Sequence, residues 1–255
     1  MEARGCRGSR ATRGRPRAGA RVIELADGVY GLGHGKGGHV HAFLIETAGE
    51  LSLVDTLFED DGRLVLDALR RLGRQPGDVK RIAITHGHRS HLGGLAALKR
   101  LTGAPVHAHA WEADIVAGDR RAQAVSILPQ QSLRLIPFQL GLWLDRPRHA
   151  ACAVDELLRD GDAFGPLQVL HVPGHSPGHL AFWWPERRFL IAGDGIATWP
   201  KLCAGWKAFN LNHLQHKTSL ARLASLDAAI VGVGHGDAVT SGAADVVHAL
   251  AEEFH

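Results

Sequence analysis

Cysteine is scarce in this chain: Cys6, Cys152 and Cys203 are the only three, scattered and odd in number. That excludes a disulfide framework, and the lack of a Cys-x-x-Cys pair excludes a zinc ribbon; a reducing, cytoplasmic location is the expectation. Long apolar runs are missing too. None approaches the roughly 20 residues that span a bilayer, so the chain reads as soluble, with no membrane partner. Excess charge is confined to one place. The formal charge is +3, but residues 1–21 hold Arg4, Arg7, Arg10, Arg13, Arg15, Arg17 and Arg21 against Glu2 alone. The remainder is therefore mildly acidic, and nothing recommends nucleic acid as a partner. Residues 1–21 read as a disordered tail with no apolar segment of the secretory kind. Residues 22–255 are enough to bury a core as one domain.

Histidine, by contrast, is abundant, with 17 residues. Three of them fall in Thr85-His86-Gly87-His88-Arg89-Ser90-His91, directly after the apolar run Arg81–Ile84 and before a helix-like segment at Leu95–Leu101. A strand ending in such a cluster places imidazoles at a sheet's C-terminal edge, where α/β folds keep their chemistry. Other apolar strands end in the same manner: Leu53-Val54-Asp55, His171-Val172-Pro173-Gly174-His175, Leu190-Ile191-Ala192-Gly193-Asp194 and Val233-Gly234-His235. Each delivers one Asp or His.

Between these signals, Ala26-Asp27-Gly28 reads as a hairpin turn, Val40–Glu46 and Leu51–Asp55 as a second hairpin, and Asp61–Leu72 as a helix stopped by Gly73. Val79–Thr85 is the strand feeding the histidines. Leu167–Val172, Leu180–Trp184, Phe189–Ala192 and Ala228–Val231 read as strands, Leu211–Leu223 and Ala243–Glu253 as helices. Residues 111–160 form an insertion whose stretch Ser126–Leu144 is apolar and broken by Pro129, Pro137 and Gly141. Such a segment suits either a lid, with Leu135, Phe138, Leu142 and Trp143 shaping a pocket, or the face of a homodimer.

From about Val22 onward the series resembles the metallo-β-lactamase superfamily. That resemblance implies a four-layer αββα sandwich, an α+β fold of two mixed sheets flanked by helices. The family's His-x-His-x-Asp-His motif is matched by His86, His88 and His91, with Ser90 in the aspartate's place. The later ligands fall on His175, Asp194 and His235, and the structural aspartate on Asp55. By this resemblance His86, His88 and His175 hold a first metal, His91 and His235 a second, and Asp194 bridges. His86 and His88, two residues apart, leave an extended chain on one side. Three neutral imidazoles with a fourth position left to water make a catalytic pattern rather than a structural one.

The implied function is a zinc-dependent hydrolase with one or two ions, in which metal-held hydroxide attacks an ester, thioester, lactone or amide of a small-molecule substrate. Ser90 and Asp194 are the positions read as catalytic, since the aspartate missing at 90 normally ligates the second metal and orients the hydroxide. A neutral hydroxyl there weakens the second site. Two rivals follow from the same resemblance: a mononuclear iron persulfide dioxygenase using His86, His175 and Asp194, and a non-catalytic binding member. Asp55 is expected to brace a ligand histidine rather than touch metal. His179, the pair His39 and His41, and the pair His107 and His109 are read as structural. Lys201, Lys207 and Lys217 are read as solvated surface, and Trp199 and Trp206 as lining a pocket or filling core.

Overall fold

Successive side chains of a strand point to opposite faces, and strands apolar on both faces generate layers. The computed structural model describes residues 21–35, 39–122, 133–144 and 148–253, apart from the side chain of Leu142. The Arg-rich residues 1–20, Ser126 and Pro129 lie outside the described residues. Strands β1 (Arg21–Ala26), β2 (Val29–Gly33), β3 (His41–Thr47) and β4 (Glu50–Val54) form an antiparallel meander. Its β3–β4 turn places Ala48 and Gly49 at φ 52° and 81°, the double left-handed conformation that matches strand twist in a two-residue hairpin. The sheet then turns parallel through β5 (Val79–Ala83), β6 (Val106–His109) and β7 (Glu156–Leu158). Helices α1 (Arg63–Arg71), α2 (Arg89–Leu92), α3 (Leu95–Thr102) and α4 (Ala110–Ala117) lie in the crossovers, and α5 (Ile136–Leu144) precedes β7.

The second sheet has five strands in the order β12-β11-β10-β9-β8. Here β8 (Ala163–Phe164), β9 (Leu167–His171), β10 (Leu180–Trp184) and β11 (Phe189–Ile191) are antiparallel. After α6 (His213–Ala224), β12 (Ile230–Gly232) adds parallel to β11, and α7 (Ala243–Glu253) closes the chain.

Three apolar clusters show how the layers stack. Phe43, Ile45, Val54 and Ala83 of the first sheet meet Val169, Phe182, Phe189 and Ile191 of the second. The alternate residues Ala42, Leu44, Leu53 and Ile82 face away, against Leu64, Val65 and Leu69 of α1 and Leu95 and Leu98 of α3. On the far side Ala181, Trp183, Leu190 and Val231 pack on Leu220 and Leu223 of α6 and Val247 and Leu250 of α7. The order is thus helix, sheet, sheet, helix, as the resemblance implied. Strand β10 is buried throughout because both its faces are covered. Each fully buried Phe or Leu in these interfaces contributes about 1.5–3 kcal/mol.

Where element ends differ from the sequence reading, the cause is local. The feeding strand stops at Ala83 rather than Thr85, because the Thr85 N–H leaves the ladder for the Asp55 carboxylate. Helix α1 starts at Arg63 because Gly62, at φ 66°, is left-handed. Helix α6 starts at His213, where the Asn212 side chain accepts from the Gln215 N–H.

Candidate metal centre

Both sheets present the C-terminal ends of β4, β5, β9, β11 and β12 to one place, and the loops beyond them carry the predicted side chains. Asp55 follows β4 in a left-handed conformation, φ 62°. Its carboxylate accepts from the Thr85 N–H at 2.8 Å and the Thr85 hydroxyl at 2.9 Å, and meets His91 Nδ1 at 2.8 Å. A non-glycine residue in that backbone region carries strain, which these three bonds hold in place. Asp55 therefore braces His91 as expected and ties the ends of β4 and β5 together.

The first group comprises His86, His88, His175 and Asp194, all buried. His86 Nε2 and His175 Nε2 lie 2.9 and 3.1 Å from His88 Nδ1, and 3.7 and 3.5 Å from Asp194 Oδ2. The rear nitrogens decide the tautomers. His86 Nδ1 meets the Thr85 hydroxyl, whose own proton goes to Asp55, so this nitrogen donates. His175 Nδ1 likewise donates to the Asn210 side-chain oxygen at 3.1 Å. Both Nε2 atoms are thereby left as lone pairs that converge with His88 Nδ1, a donor set that fits a cation.

The second group is His91, Asp194 and His235. With its Nδ1 proton directed at Asp55, His91 turns Nε2 toward Asp194 Oδ1 at 3.3 Å, and His235 Nε2 stands 3.3 Å from Oδ2. Among the described residues, buried His91 Nε2 and Asp194 Oδ1 face each other without a hydrogen bond of good geometry. Asp194 draws a proton onto His91, and a divalent metal would take that proton's place between imidazole and carboxylate. Asp194 belongs to both groups: Oδ2 faces His86, His175 and His235, and Oδ1 faces His91. Gly234 is required here: a Cβ at this position would lie 2.0 Å from Asp194 Oδ1.

Electrostatics separate the two groups. Burial lowers His88 and His175 to about 3 and drives His86 well below its ordinary value, so all three are neutral imidazoles. Burial opposes charge on His91 as well, but Asp194 and Asp55 outweigh it and raise this residue to about 10. Asp194 is held well below the usual carboxylate range, since His235 and His91 overcome the cost of its burial. The pocket around Asp194 thus calls for positive charge.

A cavity of ≈ 240 Å³ opens above the groups, and His88, Ser90, Asp194 and His235 line it. Ser90 therefore faces the site, from the short helix α2. The insertion reaches the cavity through Pro137, Phe138 and Gly141 of α5. Trp143 is 62 % exposed and outside the cavity wall, and Trp199 takes the core role of its two readings, packing against Phe138 and Trp206 without lining the cavity. Trp206 does line it, with its ring 4.3 Å from that of His235. Leu135 is buried against Trp206 and Phe209.

The histidines read as structural stand outside both donor groups among the described residues. His179 Nε2 accepts the Asp194 N–H at 3.1 Å. His41 Nδ1 binds the His39 carbonyl, His107 packs on Phe164, and His109 stacks on His171 at 4.3 Å. Lys201, Lys207 and Lys217 are exposed and outside the cavity wall.

Sequence reasoning missed Glu112 and Asn210. Buried Glu112 accepts from Gly87 N–H, the Ser176 hydroxyl and Gly178 N–H at 2.7–2.9 Å, clamping the His86–His88 loop to the His175 loop. Its only trace in the sequence is an acid at an otherwise apolar stretch of α4. Asn210 sits in a loop with no periodic pattern, so nothing marks it.

Comparison with known proteins agrees with this geometry. Residues 35–235 match the model of the family described as metallo-beta-lactamase superfamily. A probable metallo-hydrolase of Bacillus subtilis is 28% identical over 163 residues, 62% of this chain and 57% of that protein. A hydroxyacylglutathione hydrolase of Cereibacter sphaeroides is 31% identical over 158 residues, 61% of this chain but 48% of that protein. The chain thus spans only about half to three fifths of the length of such relatives. A metallo-beta-lactamase family protein of Thermus thermophilus has a similar structure, TM-score 0.64, at 29% identity, covering 90% of this chain and 79% of that one.

Proposed function

Because the chain belongs to the metallo-β-lactamase superfamily, we propose that it is a zinc-dependent hydrolase of ester, thioester, lactone or amide bonds in a small molecule. The observation that carries this reading is the pair of adjacent donor groups sharing Asp194 at the floor of a cavity. Zinc suits a set of imidazoles and one carboxylate. Bound there, divalent ions supply Lewis acidity and lower the pKa of a coordinated water from about 15.7 to about 7.

The chain's own residues do the rest. Thr85, Asn210 and Asp55 hold the imidazole lone pairs forward, and His179 fixes the backbone of Asp194. Phe138, Trp206 and Phe209 form an apolar surface that excludes water and receives the apolar part of the substrate. Ser90 lines the cavity beside His88, and a neutral hydroxyl in this place leaves the second group with three strong donors.

Elemental analysis after gel filtration, followed by a screen of thioester, lactone, aryl ester and β-lactam substrates, tests the proposal. The expected result is between one and two zinc ions per chain and zinc-dependent turnover of one of these classes. Iron as the dominant metal, with oxygen uptake on glutathione persulfide, would overturn it in favour of the dioxygenase.

A further inference from the structure

Among the described residues the cavity wall carries four arginines, Arg89, Arg120, Arg121 and Arg148, and no carboxylate except Asp194, which belongs to the donor groups. Two of these arginines are held by the protein along one edge only. Arg89 Nε donates to the Arg148 carbonyl at 3.2 Å and Nη1 to the Phe58 carbonyl, with the guanidinium lying over the Phe58 ring at 4.7 Å. Its Nη2 has no protein partner among the described residues. Arg120 Nε and Nη2 fork onto the Asp114 carboxylate at 2.6 and 2.8 Å, and Nη2 also reaches the Trp111 carbonyl. Its Nη1 is likewise without a protein partner among the described residues. The acids that act on these two groups, Asp114 and Glu112 on Arg120, and Asp60 and Glu59 on Arg89, are not part of the cavity wall.

A guanidinium fixed along one edge has already lost its rotamer freedom and presents the remaining N–H groups in a planar fork that matches carboxylate and phosphate oxygens. Ile115, Phe138, Trp206 and Phe209 line the same cavity. The cavity therefore offers cationic and apolar surface beside the donor groups.

We propose that Arg89 and Arg120 form an anion subsite, so that the substrate is an acyl compound with an apolar limb on one side of the scissile bond and a carboxylate or phosphate limb on the other. This rests on the reading of the donor groups as hydrolytic. Preference for the anionic limb is a matter of binding: it lowers KM and leaves kcat little changed, because the subsite holds a remote group in ground and transition state alike.

The test uses three aryl esters of matched chain length, with acyl groups ending in methyl, carboxylate and phosphate, on the zinc-loaded full chain. The wild type should show a KM roughly tenfold lower for one of the anionic esters, the worth of a charge-assisted hydrogen bond at a partly exposed site. Arg89→Gln and Arg120→Gln should each erase most of that preference, Arg120→Lys should restore part of it, and added salt should shrink it. The ester that benefits distinguishes carboxylate from phosphate. Should Arg89→Gln fail to fold, Arg120→Gln carries the test, since its partners lie toward the surface. Calorimetric titration of the free anionic acids provides a readout independent of turnover. Equal KM values for all three esters, or a preference that survives Arg120→Gln, would overturn the subsite while leaving the hydrolase reading intact. Arginine-dependent binding of the acids without turnover of any ester would support the subsite and sink the hydrolytic reading.

Discussion

The two donor groups share Asp194 yet are built differently. In the first, His86, His88 and His175 are neutral imidazoles backed by neutral partners, the Thr85 hydroxyl and the Asn210 amide. In the second, His91 is backed by the Asp55 carboxylate, and His235 lies under the ring of Trp206. Four protein atoms converge on the first centre and three on the second, where Ser90 stands in the place of an acid. A complete set of neutral donors favours a tightly held ion; an incomplete set in a more negative field favours an ion that is attracted but less well enclosed. The lesson is that affinity is set by what stands behind the ligands as much as by the ligands themselves.

Asp194→Ala tests what the groups have in common, and its effect should be the largest. Removing the shared carboxylate should empty both centres and reduce turnover to that of metal-stripped protein, with the circular dichroism spectrum retained. Retention of a full ion equivalent would show that the first three histidines suffice.

Next comes the asymmetry itself. His175→Ala should remove the tighter ion and abolish activity, whereas His235→Ala should leave about one ion per chain and partial activity. Equal losses in competition titrations against a chelator would mean that the two centres bind as a unit.

Ser90→Asp should sharpen the comparison from the other side. A fourth strong donor at the second group should tighten the weaker ion by roughly 10–100-fold, the scale by which supporting groups tune metal affinity. Unchanged metal content would show that residue 90 faces the cavity without reaching the ion.

The smallest effect concerns support behind the first group. His216 backs Gly174 in the His175 loop, where a Cβ would lie 2.3 Å from the His216 nitrogen, and its Nε2–H donates to the Ala204 carbonyl. Burial lowers this histidine from 6.5 to about 4. Its neutral form is the folded one, so its contribution is intact above pH 6.5 and is lost as pH falls toward 4. At pH 5 the loss should be at most about 2 kcal/mol. Urea unfolding of the wild type and His216→Gln from pH 7 to 4.5 reads it: the variant should be less stable at pH 7 but show a flatter dependence. Parallel curves would assign the acid sensitivity to other histidines.

The sequence by itself determined the layers and the donor groups. The unbroken apolar runs of β3 and β10 specify strands covered on both faces, and burial free energy enforces that choice. His86, His88, His91, His175, Asp194 and His235 were legible because each follows an apolar strand, and a strand's end is a local property of the chain. The tertiary structure decided the rest. Glu112 clamps two loops, reaching residues 64 and 66 positions away in the chain, and Asn210 reaches His175 from 35 residues on. No pattern of neighbours encodes a partner at such a distance. The arginine lining was likewise hidden: no pattern in the sequence marks Arg89 or Arg120, and Lys201, Lys207 and Lys217, read as solvated surface, are exposed outside the cavity wall. Only packing decides which side of a helix meets the cavity and which edge of a guanidinium is already taken, because both depend on contacts between segments that come together when the two sheets close on each other.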